Sequence, residues 1–231
     1  MVRTLGLIGG VSPESTLLYI RHLNAGVRAR LGGEHSAAFL LAHLDYGVMI
    51  AHYRAGAWPA FTEEVVKAGR SLVRAGAEAL MITSNTTHVA ADALAEATGA
   101  PLIHLLDALA GAMSARGVRR PLLLGTPPVM AGPFYRSALL RRFEGEILTP
   151  AAGEQDEIER IILEELCLGV VTETSRGRLL DAIRANDGAD GVILGCTELP
   201  MVLTQNDCAI PVFDTTALHA AAGVDFALAD G

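Results

Sequence analysis

The sequence predicts an α/β fold, best read as two similar lobes built on mostly parallel sheets, and three observations carry that reading. Five short apolar runs punctuate the chain: Leu5–Ile8, Ala38–Leu44, Ala79–Thr83, Pro121–Gly125 and Gly191–Gly195. Strands that are apolar throughout, rather than alternating, belong to parallel sheets covered on both faces. Helix-like stretches lie between them. In Ala60–Ala75 and Glu157–Leu168 apolar residues return at three- and four-residue spacing. The landmarks also repeat. LGLIGG (Leu5–Gly10) is echoed by LLLGT (Leu122–Thr126), and ALMITSNTTH (Ala79–His88) by GVILGCTEL (Gly191–Leu199). Gly9 to Gly125 spans 116 positions and Ser84 to Cys196 spans 112, nearly one offset. Any strand, turn and helix resembles any other, so the echo taken alone also fits one large α/β domain.

The bulk properties set the function classes. At 231 residues the chain can bury a substantial core. Hydrophobic residues make up 51% and charged residues 19%, which excludes a disordered chain. The net charge is −8, and the basic residues form only short pairs such as Arg119–Arg120 and Arg141–Arg142, which argues against a nucleic-acid partner. An anionic small-molecule substrate stays open, because local fields differ from net charge. No stretch reaches the ~18 apolar residues of a membrane span, and LGLIGG is too short for a signal-peptide core. Cys167, Cys196 and Cys208 have neither CxxC nor metal-ligand spacing. The expectation is a cytoplasmic protein with reduced thiols and no metal.

The chemistry gathers where apolar runs end. Gly195-Cys196-Thr197-Glu198 comes after the last long run, at the expected start of a helix. A lone cysteine is commonly a small core hydrophobe. At a helix start, free N–H groups and the positive dipole end would instead lower its pKa and favour anions. Ser84-Asn85-Thr86-Thr87-His88 holds the matching place in the first half. Asn85 or Thr86 could cap a helix, or the segment could cradle a carboxylate with amide, hydroxyl and N–H donors. His88 lies four residues after Ser84, one helical turn on. Gly9-Gly10-Val11-Ser12-Pro13-Glu14 reads as a tight turn into a helix with Ser12 as N-cap, Pro13 at N1 and Glu14 in the first turn. It matches neither a dinucleotide fingerprint nor a P-loop. Gly125-Thr126-Pro127-Pro128 is its counterpart, and Phe213-Asp214-Thr215-Thr216 follows another apolar run and could feed the same cleft, with an Asp214 N-cap the simpler reading. Arg54, in LDYGVMIAHYRAGAW, is a candidate contact for a distal carboxylate, with a surface arginine the simpler reading.

Together the words IGGVSPEST, TSNTTH, LLGT, EELCLG, GCTEL and PVFDTT resemble the aspartate/glutamate racemase family, in order, from about residue 5 to residue 220. The resemblance implies two similar α/β/α lobes related by pseudo-twofold symmetry, with the active site in the cleft between them and the C-terminal tail returning to the first lobe. The implied lobes are 1–100 plus 207–231, and 101–206. It implies a homodimer acting on an amino-acid or dicarboxylate substrate, with no cofactor and no metal. Two facing residues, typically cysteines, remove and return the α-proton from opposite sides. Carried over, Cys196 matches the second cysteine. Asn85, Thr86 and Thr197 match carboxylate-binding positions, with Ser12, Thr87 and Thr126 as further contacts.

The first catalytic position departs from the pattern: it is Ser84. A serine hydroxyl is a far poorer base than a thiolate and needs an activating neighbour. The expectation is that Cys196 serves one enantiomer as the strong base and Ser84 donates from the other face, with His88 or a water as relay. A single thiol would also suit a decarboxylase of substituted malonates, which must protonate one face only. Hydantoin or maleate isomerases, and a racemase-like binding protein without turnover, are further alternatives.

Overall fold

The computed structural model describes residues 2–229. The chain divides into two compact units: the stretch up to Leu105 with that from His219 onward, and Leu106–Leu218. The second boundary lies later than the 206/207 division that the family resemblance implies. The reason is that residues 212–214 form a strand of the second unit.

The first unit is built on β1 (Leu5–Gly9), β2 (Phe39–His43) and β3 (Ala79–Ile82), in the order β2-β1-β3, all parallel. Central β1 and β3 are buried at every residue. β2 is an edge strand that is half-buried or exposed along its length, so the expectation of a fully buried strand there is corrected. Alternate residues feed two core layers. Ile8, Leu80 and Ile82 pack with α3 (Trp58–Arg74) and α4 (Ala91–Thr98). Leu5, Leu7 and Met81 pack with α1 (Pro13–Leu31) and α10 (Thr215–Leu228). Each fully buried Leu or Ile contributes about 1.5–3 kcal/mol. α3 buries Phe61, Val65, Ala68, Gly69 and Leu72, the face its periodicity predicts. Gly69 allows the close approach of α4, since a Cβ there would stand 2.2 Å from Leu94 Cδ1.

The second unit is built on β4 (Pro121–Gly125), β5 (Gly191–Gly195) and β6 (Val212–Asp214), parallel and in that order. Leu122, Leu124, Val192 and Leu194 pack with α8 (Ala152–Arg160) and α9 (Glu173–Ala185) through Ile158, Leu179, Ala182 and Ile183. The sequence echo is realised in topology. In the first unit Leu102 bridges β3 at Leu80, and in the second Leu148 bridges β4 at Leu122, both in parallel. Each sheet therefore runs through four positions, with β1–β3 equivalent to β4–β5. One element differs from expectation. The predicted helix Glu157–Leu168 ends as α8 at Arg160, loosens to a π-turn over Ile161–Glu165, and tightens to a 3₁₀ turn over Leu166–Leu168. Gly169, at φ 74°, closes it in the left-handed region. Among the described residues no helix is long and apolar enough to cross a membrane.

Candidate active site

Ligand chemistry in parallel α/β sheets gathers at the carboxyl ends of the strands, and the sequence-predicted residues lie there in both units. In the first unit the chain leaves β1 through Gly10, whose φ of 94° and close approach to Leu44 (2.1 Å from a built Cβ to the Leu44 carbonyl oxygen) admit only glycine. Ser12 caps α1 as predicted, its Oγ accepting from Ser15 N–H at 3.3 Å. Ser15 Oγ donates in turn to the Thr83 carbonyl at 2.5 Å, and Thr83 Oγ1 donates to the Ile8 carbonyl at 3.2 Å. The exits of β1 and β3 are thereby tied into one polar edge carrying Ser12, Ser84, Asn85, Thr86 and Thr87.

At the β3 exit the turn is 3₁₀, over Thr86–Ala90. Asn85, at the N-cap of this turn, makes no side-chain cap bond. Ser84 provides one, its Oγ accepting from Thr87 N–H at 3.4 Å. Serine's oxygen accepting here leaves its own O–H to be donated. Thr87 Oγ1 is buried without a hydrogen-bond partner, and a ligand would satisfy it. His88 stands in the same 3₁₀ turn. Its Nδ1 lies 2.6 Å from the Ser84 carbonyl oxygen, and its Nε2 accepts from Leu105 N–H at 3.3 Å. Both ring nitrogens therefore have backbone partners.

In the second unit Gly125 and Gly195 are register partners, so Thr126 and Cys196 leave adjacent strand ends. Cys196 is buried, and its Sγ donates to Glu198 Oε2 at 2.9 Å. Thr197 Oγ1 donates to the same oxygen at 2.8 Å. The chain then continues in a three-residue 3₁₀ turn, Leu199–Met201, and not in the expected helix. Without a helix dipole the thiol pKa is raised well above its ordinary value, by burial first, then by the Glu198 charge and Cys167. The expected lowering is therefore corrected: the resting group is a thiol. Cys167 and Cys208 are half-buried and pack against the same core. Asp214 is the predicted N-cap of α10, accepting from Thr216 and Ala217 N–H at 2.9 and 3.0 Å. Arg54 lies exposed in the last turn of α2 (Tyr46–Arg54).

The family model for Asp/Glu/hydantoin racemases matches residues 8–223. The chain belongs to that family. A Yersinia pestis protein solved as a candidate Asp/Glu racemase shares 41% identity and a TM-score of 0.91, covering 98% of this chain and 100% of its own. An aspartate racemase homologue from Pyrococcus horikoshii OT3 shares 32% identity and a TM-score of 0.84, covering 98% and 99%. The glutamate racemase of Pseudomonas aeruginosa is 32% identical over 180 residues, 76% of this chain. That match spans 64% of the curated relative's length.

For a racemase-family chain the residue that sequence reasoning passed over is Glu198. It stands in the GCTEL word, but nothing in the sequence marks a carboxylate two positions past a cysteine as its partner. Only the turn brings Oε2 onto Sγ.

Proposed function

We propose that this chain is a cofactor-independent amino-acid racemase acting on aspartate and/or glutamate by removal and return of the α-proton. The observation that carries the reading is the buried Cys196 thiol bonded to the Glu198 carboxylate at the end of a parallel strand, in a chain of the racemase family. A weakly acidic α-proton requires a strong base and donors that stabilise the developing negative charge on the α-carboxylate side. In this reading Glu198 takes the thiol proton and Cys196 abstracts the α-proton of one enantiomer. In the reverse direction the thiol returns it.

Ser84 stands in place of the usual second cysteine and acts from the opposite face. Its hydroxyl accepts from Thr87 N–H, which suits a donor better than a base. The two directions are therefore unequal. Asn85, Thr86 and Thr197 bind the α-carboxylate, with Ser12, Thr87 and Thr126 as further contacts; the unsatisfied Thr87 hydroxyl supports its place in that set. The enzyme works in the cytoplasm as a homodimer, a reading supported by three cysteines that stand outside any disulfide and by the family resemblance. The single thiol among the two catalytic positions favours one second reading, decarboxylation of a substituted malonate, in which Cys196 protonates one face.

Proton NMR in D₂O of L- and D-aspartate and L- and D-glutamate, with Cys196→Ala as control, tests the proposal. Exchange with inversion, lost in the variant, supports racemisation. Exchange from one enantiomer without inversion would show that Ser84 does not complete the cycle. No exchange with any of the four refutes the racemase reading and moves substituted malonates to the front.

A further inference from the structure

Behind Ser84, inside the first unit, lies a cluster of three histidines and a tyrosine. The His88 and His104 ring centroids are 4.9 Å apart, and those of His88 and His219 are 5.6 Å apart. His88 and His219 are buried, and their hydrogen bonds assign their tautomers. A carbonyl oxygen only accepts and an amide N–H only donates. His88 therefore carries its proton on Nδ1, toward the Ser84 carbonyl, and accepts on Nε2 from Leu105 N–H. His219 carries its proton on Nε2, donated to the Ile103 carbonyl at 2.7 Å, and accepts on Nδ1 from Tyr19 O–H at 2.9 Å. The His88 bonds join the Ser84 carbonyl to Leu105 N–H, the His219 bonds join α1 and α10 to residue 103, and the two rings meet edge to face.

We propose that His88 is a positioning residue that clamps the Ser84 peptide to the backbone at Leu105 and so sets the direction of Ser84 Oγ, without exchanging a proton with it. The clamp and the cap act on the same short turn. Thr87 N–H holds the Ser84 side chain from three residues on, and the His88 ring holds the Ser84 carbonyl from four residues on. Releasing the carbonyl frees the peptide that carries the hydroxyl, and proton transfer to carbon is sensitive to misplacement of that order. The proposal rests on the racemase reading of Ser84 for its kinetic consequence, but the clamp itself is independent of substrate.

Two measurements test it. Long-range ¹H–¹⁵N correlation of the histidine-labelled chain, assigned by the signal lost in His88→Asn, should show His88 as a neutral Nδ1–H ring. An Nε2–H tautomer or an imidazolium overturns the clamp whatever the substrate is. Deuterium incorporation is then measured separately from each enantiomer of aspartate and glutamate, for wild type, Ser84→Ala, His88→Ala, His88→Asn and the Ser84→Ala/His88→Ala pair. His88→Ala should lower exchange roughly tenfold to a hundredfold from the enantiomer that Ser84→Ala affects, leave the other within about twofold, and add nothing to Ser84→Ala. His88→Asn, whose amide N–H stands near the place of Nδ1–H, should recover most of the loss. Equal losses from both enantiomers, or additive losses in the double variant, overturn the proposal. If His88→Ala does not fold, the tautomer and the one-sidedness of His88→Asn decide it. A wild type that exchanges none of the four refutes the racemase reading alone, and the tautomer then decides the clamp.

Discussion

His219 should make the native state acid-sensitive in a way that one substitution removes. It is fully buried, faces Tyr19 and His88, and donates to the Ile103 carbonyl. Burial, and after it the neighbouring His88, pull its pKa down to about 3 from 6.5. Above the unfolded value the ring is neutral in both states and the folded state carries no penalty. As pH falls below it, the unfolded chain takes up a proton that the native chain refuses until about pH 3. Stability therefore declines by ~1.4 kcal/mol per pH unit across that window. At pH 5 the loss is about 2 kcal/mol, a large share of the ~5–15 kcal/mol that holds a typical domain. Urea denaturation of wild type and His219→Gln at pH 8, 7, 6 and 5 measures it. The variant lacks a titrating ring here, so it should start less stable at pH 8 and lose about 2 kcal/mol less on going to pH 5. Glu157, Glu165 and Asp207, whose pKa values are lowered by their hydrogen-bonded partners, add acid sensitivity equally to both proteins and cancel in the comparison. Parallel stability curves would refute the argument.

Two further substitutions probe the strand ends. Glu198→Gln keeps an acceptor for the thiol but cannot take its proton, so α-proton exchange at the Cys196 face should fall roughly 10²-fold or more. Removing the negative neighbour should also shift the alkylation profile of Cys196, measured by peptide mass spectrometry, to lower pH. A loss of exchange with an unmoved profile would show that Glu198 acts on something other than the thiol. Gly10→Ala meets both a positive φ and the Leu44 carbonyl at 2.1 Å, so it should cost about 1–3 kcal/mol or more in chemical denaturation.

Much of the α/β fold is local and so legible in the sequence. The fully apolar strands β1, β3, β4 and β5, the α3 face and the Ser12 and Asp214 caps all arise from patterns a few residues long. The edge position of β2 is not local. An edge and a central strand share the same apolar run, and only pairing distinguishes them. The same holds for the end of α8, where the apolar period continues through Leu168 while the backbone departs from the α-helix at Ile161.

The sequence by itself determined the residue types at the strand ends: one thiol at Cys196, a hydroxyl at Ser84, and the amide and hydroxyl donors beside them. Their chemical state was decided by the tertiary structure. Cys196 is a high-pKa thiol because the chain buries it, does not begin a helix there and turns Glu198 onto its sulfur. His88 Nε2 has a backbone partner because residues 103–105 bring Leu105 N–H to it. Protonation and tautomer are set by burial and by the partners that long-range packing supplies, and spacing along the chain specifies neither.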